Sequence, residues 1–175
     1  GEHQLTNIAV VFAAACTHGI DPEAVVLALK TTPQVAHRFE VRPGANGSAL
    51  IDDAYNSNPQ GFASALAALD ILVEPGGKRV LATPGMVELG TAHDDEHRRL
   101  GKIAAAHVDV LLAIAPERIE SFVAAFDAHK AESAETHRFT EFSEANDWIS
   151  DNAASGDAVL LENDLPDLYE RRLQI

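Results

Sequence analysis

The sequence of 175 residues has room for one full domain and a small remainder, and its composition, 46% hydrophobic and 23% charged, is that of an ordinary globular protein. Its formal net charge of −14 argues against a nucleic-acid or anionic-membrane surface, but it permits a nucleotide site, which needs only local positive groups and backbone N–H donors. Cys16 is the only cysteine, so a reducing compartment is favoured, and no apolar run approaches the roughly 20 residues of a membrane span.

The first 31 residues predict two helices and no strand. The first, "HQLTNIAVVFAAACTHG", is apolar at helical spacing and ends at Gly19, which suits the left-handed position after a helix. The second, "DPEAVVLALK", has Asp21 as its N-cap and Pro22 at its first position. The stretch "TTPQ" then predicts a linker, so we expect a domain boundary near residue 36.

From residue 37 onward, predicted strands alternate with predicted helices. "RFEVR" and "SALIDD" flank the turn "PGANG" and predict a hairpin. The strands "RVLAT", "VDVLLAIA", "HRFTEF" and "DAVLLE" follow, separated by helices over 59–73, 94–107, 117–130 and 143–154, with a last helix from Pro166. This alternation indicates crossover connections and a mostly parallel sheet covered on both faces. The predicted fold is a three-layer, Rossmann-like α/β domain over residues 37–175, preceded by a short helical tail.

Polar clusters follow three of these strands, namely "DDAYNSNP", "TPGMVELG" and "NDLP". In open α/β sheets, ligands bind outside the carboxyl ends of the strands. We therefore expect the three clusters to form the working edge of the sheet.

The cluster "DDAYNSNP" combines groups that suit a nucleotide. A carboxylate at a strand end accepts hydrogen bonds from a ribose diol, a tyrosine ring can lie against a base, and asparagine amides can pair with base edges. On spacing alone a purely structural interpretation is favoured, in which an aspartate finishes the strand and Asn58 caps the helix that Pro59 begins.

Five motifs, in order, resemble those of the Mur ligase family. "GEHQLTNIAVVFAAA" resembles the G-x-H-N-x-x-N-x-x-A-A signature near the end of the central ATPase domain, and "HRFE" resembles the G/H-R-F/M-E that opens the C-terminal domain. "IDDAYNSNP" resembles the D-D-S-Y-N-A-N-P of the MurF branch, "GMVELGTAHDDEHRRLG" resembles its M-x-E-L-G with a following H-x-x-x-G, and "SGDAVLLE" resembles the later G-D-x-V-L. The resemblance implies that residues 1–36 are the last helices of the ATPase domain and that residues 37–175 are the C-terminal domain.

The resemblance further implies an ATP-dependent amide ligase of peptidoglycan precursor synthesis, located in the cytoplasm. ATP would phosphorylate the carboxylate of a UDP-MurNAc-peptide, and an amine such as that of D-Ala-D-Ala would displace phosphate from the acyl phosphate. The implied cofactors are ATP and Mg²⁺. The implied partners are the upstream domains of the same polypeptide and these two substrates, with no nucleic acid and no membrane span.

The resemblance also assigns nucleotide-binding residues by position. Arg38 matches an arginine near the ATP phosphates, Asp53 matches an aspartate that contacts the ribose, and Tyr55 and Asn56 match positions beside the adenine and ribose. Taken alone, Arg38 could instead form a surface ion pair with Glu40 or Asp53, and Tyr55 could be an ordinary surface ring.

Four more residues match motif positions away from these. Asn7 and the preceding His3 match nucleotide-associated residues in the helical tail, although Asn7 could equally be a buried amide in helix packing. Glu88 and His97 match residues near the interdomain cleft, for which the resemblance implies either an acceptor-side or a structural role.

Two departures from the family pattern bear on function. The sequence contains no G-x-x-x-x-G-K-[ST] phosphate loop, and the residues that the family uses for Mg²⁺ would lie upstream. We therefore expect no catalytic residue, no metal site and no turnover from these 175 residues alone. The K-G-S-R after the family's last strand is replaced by "ENDLPDLYERR", which turns a basic segment acidic. Because a D-Ala-D-Ala carboxylate favours a nearby cation, this change leaves the identity of the acceptor substrate undetermined.

Two other functions compete with this assignment. "HDDEH" matches the H-x-x-E-H of inverted zinc peptidases, in which His93 and His97 would bind zinc and Glu96 would activate water, although acids there also suit the first turn of a helix. The second is a non-catalytic flavodoxin-like binding module. Against it, the acidic pair follows a hairpin strand and no later strand ends in a lysine poised over it.

Overall fold

The computed structural model of the chain describes residues 2–33, 35–55 and 57–163, with side chains from residue 7 onward. The helices in these ranges are α1 (Glu2–Thr17), α2 (Pro22–Lys30), α3 (Pro59–Leu72), α4 (His93–His107), α5 (Glu120–His129) and α6 (Phe142–Asn152). The strands are β1 (Glu40–Pro43), β2 (Ala49–Asp53), β3 (Arg79–Thr83), β4 (Val110–Ile114), β5 (Glu135–Phe139) and β6 (Ala158–Glu162).

The strands form one sheet in the order β1-β2-β6-β3-β4-β5, in which β1 is antiparallel to β2 and the other neighbouring pairs are parallel. Helices α3, α4 and α5 share a buried core with Ile51 and Leu160 on one face of the sheet. Helix α6 packs on the other face, where the core includes Leu112 and Val159. The predicted three-layer, Rossmann-like fold with a mostly parallel sheet is confirmed.

Local capping rules set the starts of two helices as predicted. The Asp21 side chain accepts two backbone N–H groups of α2 at 2.8 and 3.2 Å, and Pro22 takes the first helical position. The Asn58 side chain accepts two backbone N–H groups of α3 at 2.9 and 3.2 Å, and Pro59 follows it. Asn58 is therefore a helix cap, as the structural interpretation of its cluster predicted.

One predicted strand is displaced. Strand β5 spans Glu135–Phe139 rather than 137–142, because the backbone N–H groups of residues 140 and 141 bond to the Glu144 carboxylate in the capping box that starts α6. The helix predicted from Pro166 lies outside the described residues.

Helices α1 and α2 precede the sheet, pack against each other and meet the sheet domain where α1 contacts α3. Their apolar side chains Val10, Val11, Val26 and Leu27 are between 42% and 66% exposed. The helix pair therefore keeps an apolar surface that the described part of the chain leaves open to solvent. None of the described helices combines the length and apolar character that a membrane crossing requires.

A charged network holds the amino-terminal end of β3. Arg79 donates Nε and Nη2 to the two Asp109 carboxylate oxygens at 2.9 and 2.8 Å, and Nη1 to Asp70 at 2.7 Å. The hydrogen bonds from Arg79 lower the pKa of Asp109 below its ordinary value despite partial burial. Partial burial alone would raise the pKa of Asp70, but hydrogen bonds from Arg79 and His107 hold it below its ordinary value. The network links α3, β3 and the residue before β4.

Candidate functional site

The carboxyl ends of β2, β6 and β3 lie side by side, because these strands are parallel neighbours in that order. Asn163, directly after β6, joins them: its backbone N–H donates to the carbonyl oxygen of Asp53 at 3.3 Å, and its side-chain amide donates to the carbonyl oxygen of Gly85. The described parts of the three polar clusters therefore meet at one edge of the sheet, as predicted. We call this edge, residues 53–55, 83–86 and 162–163, the carboxyl rim.

The two adjacent aspartates of β2 have different surroundings, because successive strand residues point to opposite faces. Asp52 lies on the α6 side, buried, where its carboxylate is 3.0 Å from Nδ1 of His37 and accepts Nη2 of Arg42 at 3.3 Å. A cavity of about 350 Å³ adjoins this group. Asp53 follows the alternation to the α3 side, and its Oδ1 accepts the backbone N–H of Phe39 at 2.9 Å. The structure thus separates the two carboxylates, and only Asp53 belongs to the rim.

Arg38 and Tyr55 pack together beside Asp53. The guanidinium carbon of Arg38 lies 4.2 Å from the centre of the Tyr55 ring, within the range of a cation–π contact. The Tyr55 backbone N–H donates to the carbonyl oxygen of His37 at 3.1 Å, which fixes the loop after β2 against the segment before β1. Arg38, Asp53 and Tyr55 meet as neighbours, with the Tyr55 ring 61% exposed.

The other nucleotide-associated residues lie elsewhere or outside the description. Asn7 is on α1 and is exposed in the described part of the chain. His3 lies in α1, but its side chain is outside the described residues, and so is Asn56. Glu88 is exposed on the segment between β3 and α4, with a φ of 64°.

His97 is fully buried and holds the segment that follows β3. Its Nε2 accepts the backbone N–H of Met86 at 3.0 Å, and its Nδ1 donates to the carbonyl oxygen of His93 at 2.8 Å. These two bonds require a neutral ring with its proton on Nδ1. Burial, which outweighs the hydrogen bond to His93, lowers the pKa of His97 below its ordinary value, in agreement with that state.

The zinc interpretation of "HDDEH" is wrong for physical reasons. A zinc-bound imidazole needs a free nitrogen lone pair, and the one lone pair of neutral His97 already accepts the N–H of Met86. Nε2 of His93 is 2.8 Å from the carbonyl oxygen of Arg118, so it acts there as a donor. The acids of the motif occupy the first turn of α4, and the described residues contain no cluster of three or more potential metal ligands.

Sequence reasoning missed Glu162, the last residue of β6. Its side chain is buried at the rim, 1% exposed, and Oε1 accepts a hydrogen bond from the Ser57 hydroxyl. Burial, followed by the charge of Asp53, raises the pKa of Glu162 well above its ordinary value, and the Ser57 hydrogen bond only partly opposes this. The sequence feature that could have indicated this residue is an acid at the end of the apolar run "AVLLE". A side chain on the core-facing side of such a strand is shielded from solvent.

Comparisons with known proteins agree with this fold. A family model described as "Mur ligase, glutamate ligase domain" matches residues 37–162. The "UDP-N-acetylmuramoyl-tripeptide--D-alanyl-D-alanine ligase" of Mycobacterium tuberculosis is 34% identical over 164 residues, which cover 91% of this chain and 32% of that protein. The ligase of the same name from Bacillus subtilis is 26% identical over 171 residues, which cover 93% of this chain and 35% of that protein. The chain therefore spans about a third of the length of the curated relatives it matches.

Solved structures show the same fold at lower identity. The MurF ligase of Thermotoga maritima in complex with ADP superposes with a TM-score of 0.73 at 24% identity, over 98% of this chain and 37% of that one. FolC of Escherichia coli in complex with DHPP and ADP superposes with a TM-score of 0.61 at 18% identity, over 96% of this chain and 39% of that one. The family match covers well over half of the sequence. The chain therefore belongs to the Mur ligase family, contains its C-terminal domain, and is similar over most of its length to MurF-type ligases.

Proposed function

We propose that this chain is the C-terminal part of an ATP-dependent amide ligase of peptidoglycan precursor synthesis, and that its carboxyl rim forms one wall of the ATP site. The observation that carries this proposal is the grouping of Arg38, Tyr55 and Asp53 at one edge of the sheet. This grouping supplies a guanidinium, an exposed ring and a carboxylate, which suit the phosphates, the base and the ribose of a nucleotide. The ADP bound to the Thermotoga maritima relative agrees with this class of ligand.

Each rim residue has a distinct role in this proposal. Arg38 pairs with the phosphates, and its position over Tyr55 holds the planar guanidinium ready for bidentate contacts. The Asp53 carboxylate accepts the ribose hydroxyls, while the Phe39 N–H keeps it oriented and favours its ionised form. Tyr55 lies against the adenine. We assign Asn56, Asn7 and His3 to the same nucleotide by their motif positions.

The proposed reaction joins a carboxylate to an amine. The carboxylate of a UDP-MurNAc-peptide attacks the γ-phosphorus of ATP, ADP leaves, and the amine then attacks the acyl carbon and displaces phosphate. Mg²⁺, when bound, screens the charge of the phosphates. We assign the Mg²⁺ ligands and the phosphate loop to upstream residues of the same polypeptide, so the 175 residues alone should not hydrolyse ATP. The enzyme would work in the cytoplasm.

We propose that residues 1–36 are the end of the preceding ATPase domain. Their apolar side chains support this assignment, because Val10 and Leu27 are 63% and 66% exposed, and exposed apolar side chains on one helix pair suit an interface with another domain. The shorter span of this chain relative to its relatives agrees with it. For Glu88 we keep both roles, a contact on the side of the acceptor substrate or a structural role in the interdomain cleft. We assign His97 a structural role because both of its ring nitrogens are hydrogen-bonded within the protein. D-Ala-D-Ala or another amine would be the acceptor.

Matched substitutions in the intact gene product test the nucleotide assignment. Asp53→Asn removes a charged acceptor from the ribose, and such a hydrogen bond contributes roughly 1.5–3 kcal/mol, so we expect the ATP KM to rise about tenfold or more. Asp52→Asn changes the adjacent residue in the same way, but Asp52 faces α6. A KM that rises equally in both variants would contradict the ribose contact.

The same comparison applies to the phosphates. Arg38→Ala should raise the ATP KM, while Arg42→Ala, whose guanidinium pairs with Asp52 on the other face, should not. If neither Asp53→Asn nor Arg38→Ala changes ATP kinetics, the assignment of the nucleotide to the carboxyl rim is refuted.

A further inference from the structure

Glu162 is a buried carboxyl group that the proposed nucleotide contacts leave without a role. It pairs in register with Asp53 across the parallel strands β6 and β2, so the two residues occupy neighbouring positions at the rim. Its Oε1 accepts the Ser57 hydroxyl, whereas its Oε2 is buried and has no hydrogen-bond partner in the described part of the chain. A buried polar atom without a partner is unusual enough to call for an explanation.

The surroundings of Glu162 favour its neutral form. On β6 the preceding core residue on the same face is Leu160, which packs with α3 and α4 side chains, so the carboxyl group ends an apolar row. Asp53, in contrast, accepts the N–H of Phe39, a bond that favours the ionised form. Two neighbouring carboxyl groups cannot both ionise at low cost, and these environments assign the charge to Asp53 and the proton to Glu162.

The other groups near Glu162 do not supply a compensating positive charge. The first turn of α3 contains no acid, and the residues that begin it are uncharged. Strand β3 ends in Thr83, whose hydroxyl accepts the N–H of Gly85. From α4, His97 is neutral and bonded to Met86, and Arg99 is engaged by Glu96 at 2.8 Å. Asp53 is thus the charged group that acts on Glu162 from within the described residues.

We propose that Glu162 is a positioning residue of the rim, a neutral carboxylic acid that holds Ser57 just ahead of α3 and leaves Asp53 as the ionised carboxylate presented to the ribose. The inference rests on the proposed function for the identity of the ligand, but the protonation of Glu162 does not depend on it. Loss of the proton, once the pH exceeds the raised pKa of Glu162, places a second negative charge beside Asp53. That charge opposes a bound nucleotide and weakens its binding.

The first experiment is independent of any ligand. The chain is labelled with ¹³C at glutamate carboxyl carbons, and the signal that Glu162→Gln removes is followed by NMR from pH 4 to pH 9. We expect this signal to keep the chemical shift of a protonated carboxyl through the range in which ordinary glutamates, with a pKa of about 4.3, ionise. A Glu162 signal that titrates together with the ordinary glutamates overturns the proposal.

The second experiment measures positioning through the ATP KM of the intact gene product between pH 6.5 and 9. Glu162→Leu removes the bond to Ser57 and should raise the KM several-fold at every pH, with a smaller effect on kcat. Glu162→Gln, which preserves the shape of the protonated acid, should restore most of the loss and should remove the rise of the KM with pH. Glu132→Gln makes the same chemical change at an exposed position between α5 and β5 and should behave as the parent.

The outcomes separate this inference from the proposed function. An unchanged KM in Asp53→Asn would refute the nucleotide site, whatever Glu162 does. A raised KM in Asp53→Asn, combined with a parental pH profile in Glu162→Gln, would leave the nucleotide site intact and refute the positioning role. If Glu162→Leu is unfolded by circular dichroism, the glutamine variant and the NMR titration still decide the question.

Discussion

Replacing His97 with leucine tests how the segment after β3 is held. The variant removes the acceptor of the Met86 N–H, which is buried and bonded at 3.0 Å. A buried donor that loses its partner costs about 1–3 kcal/mol, and a leucine of similar volume adds only a modest repacking cost, so we expect a loss of roughly 2–4 kcal/mol. His97→Gln is the matched control, since its amide oxygen can accept the same N–H, and should lose about 1 kcal/mol or less.

The free energy of unfolding is measured by urea titration of the chain, followed by circular dichroism, at pH 7.5 and at pH 5.5. Because the folded pKa of His97 is lowered, its contribution is fully present above the unfolded pKa of about 6.5 and is lost as the pH falls toward the folded value. The parent should therefore lose stability on acidification, and its advantage over His97→Leu should shrink at pH 5.5. A leucine variant within about 0.5 kcal/mol of the parent at pH 7.5, or a difference that is the same at both pH values, would refute this account.

Three further substitutions test other parts of the structure. Gly85→Ala should destabilise the chain by about 2 kcal/mol or more and lower its urea midpoint, because φ is 76° there and a Cβ would overlap Ile119 and the His97 ring. An unchanged midpoint would show that the segment after β3 can shift to accommodate the methyl group. Arg79→Met should cost about 1–2 kcal/mol at pH 7. This difference should begin to shrink as the pH falls below about 4, the ordinary aspartate pKa, and should disappear only below the lowered pKa values of Asp70 and Asp109; a constant difference would exclude the ion pairs as its source. Glu162→Gln should gain stability relative to the parent by about 1.4 kcal/mol per pH unit above roughly pH 4.3, since a raised carboxyl pKa makes stability fall as the pH rises through it; equal stabilities from pH 5 to pH 8 would count against a protonated Glu162.

The parts of the fold that could be predicted depend on local chemistry. Asp21 and Asn58 cap their helices through side chains that reach backbone groups two or three residues away, so the short sequence pattern contains the whole interaction. The alternation of apolar strands and long helices likewise predicts the parallel sheet. The order of the strands does not follow from such rules, because β6 inserts between β2 and β3, and its pairing with β2 joins residues more than a hundred positions apart.

The parts of the site that could not be predicted depend on distant partners. The motif match gave His97 two open roles, and the Met86 N–H that engages its Nε2 lies on another segment, which the motif does not reveal. The motif match singled out Asp53, but the residues alone gave no physical reason why one of two adjacent carboxylates should face the rim; the strand alternation, which places them on opposite faces, supplies it. Glu162 was overlooked because its burial comes from α3 and the neighbouring strands, whereas its sequence neighbours suggest an exposed, acidic chain tip.

The central place of β6 has a consequence for how the protein is made. Strand β6, residues 158–162, pairs with β2 on one side and with β3 on the other. These residues must therefore be synthesised before the β1–β2 hairpin can join the β3-β4-β5 part of the sheet. Pairings over such long sequence separations slow folding, and until they form, both strands present unpaired edges that invite association with other chains. A chain truncated before Ala158 would thus lack a central strand of the sheet rather than a peripheral segment. We expect such a product to be degraded or to aggregate in cells.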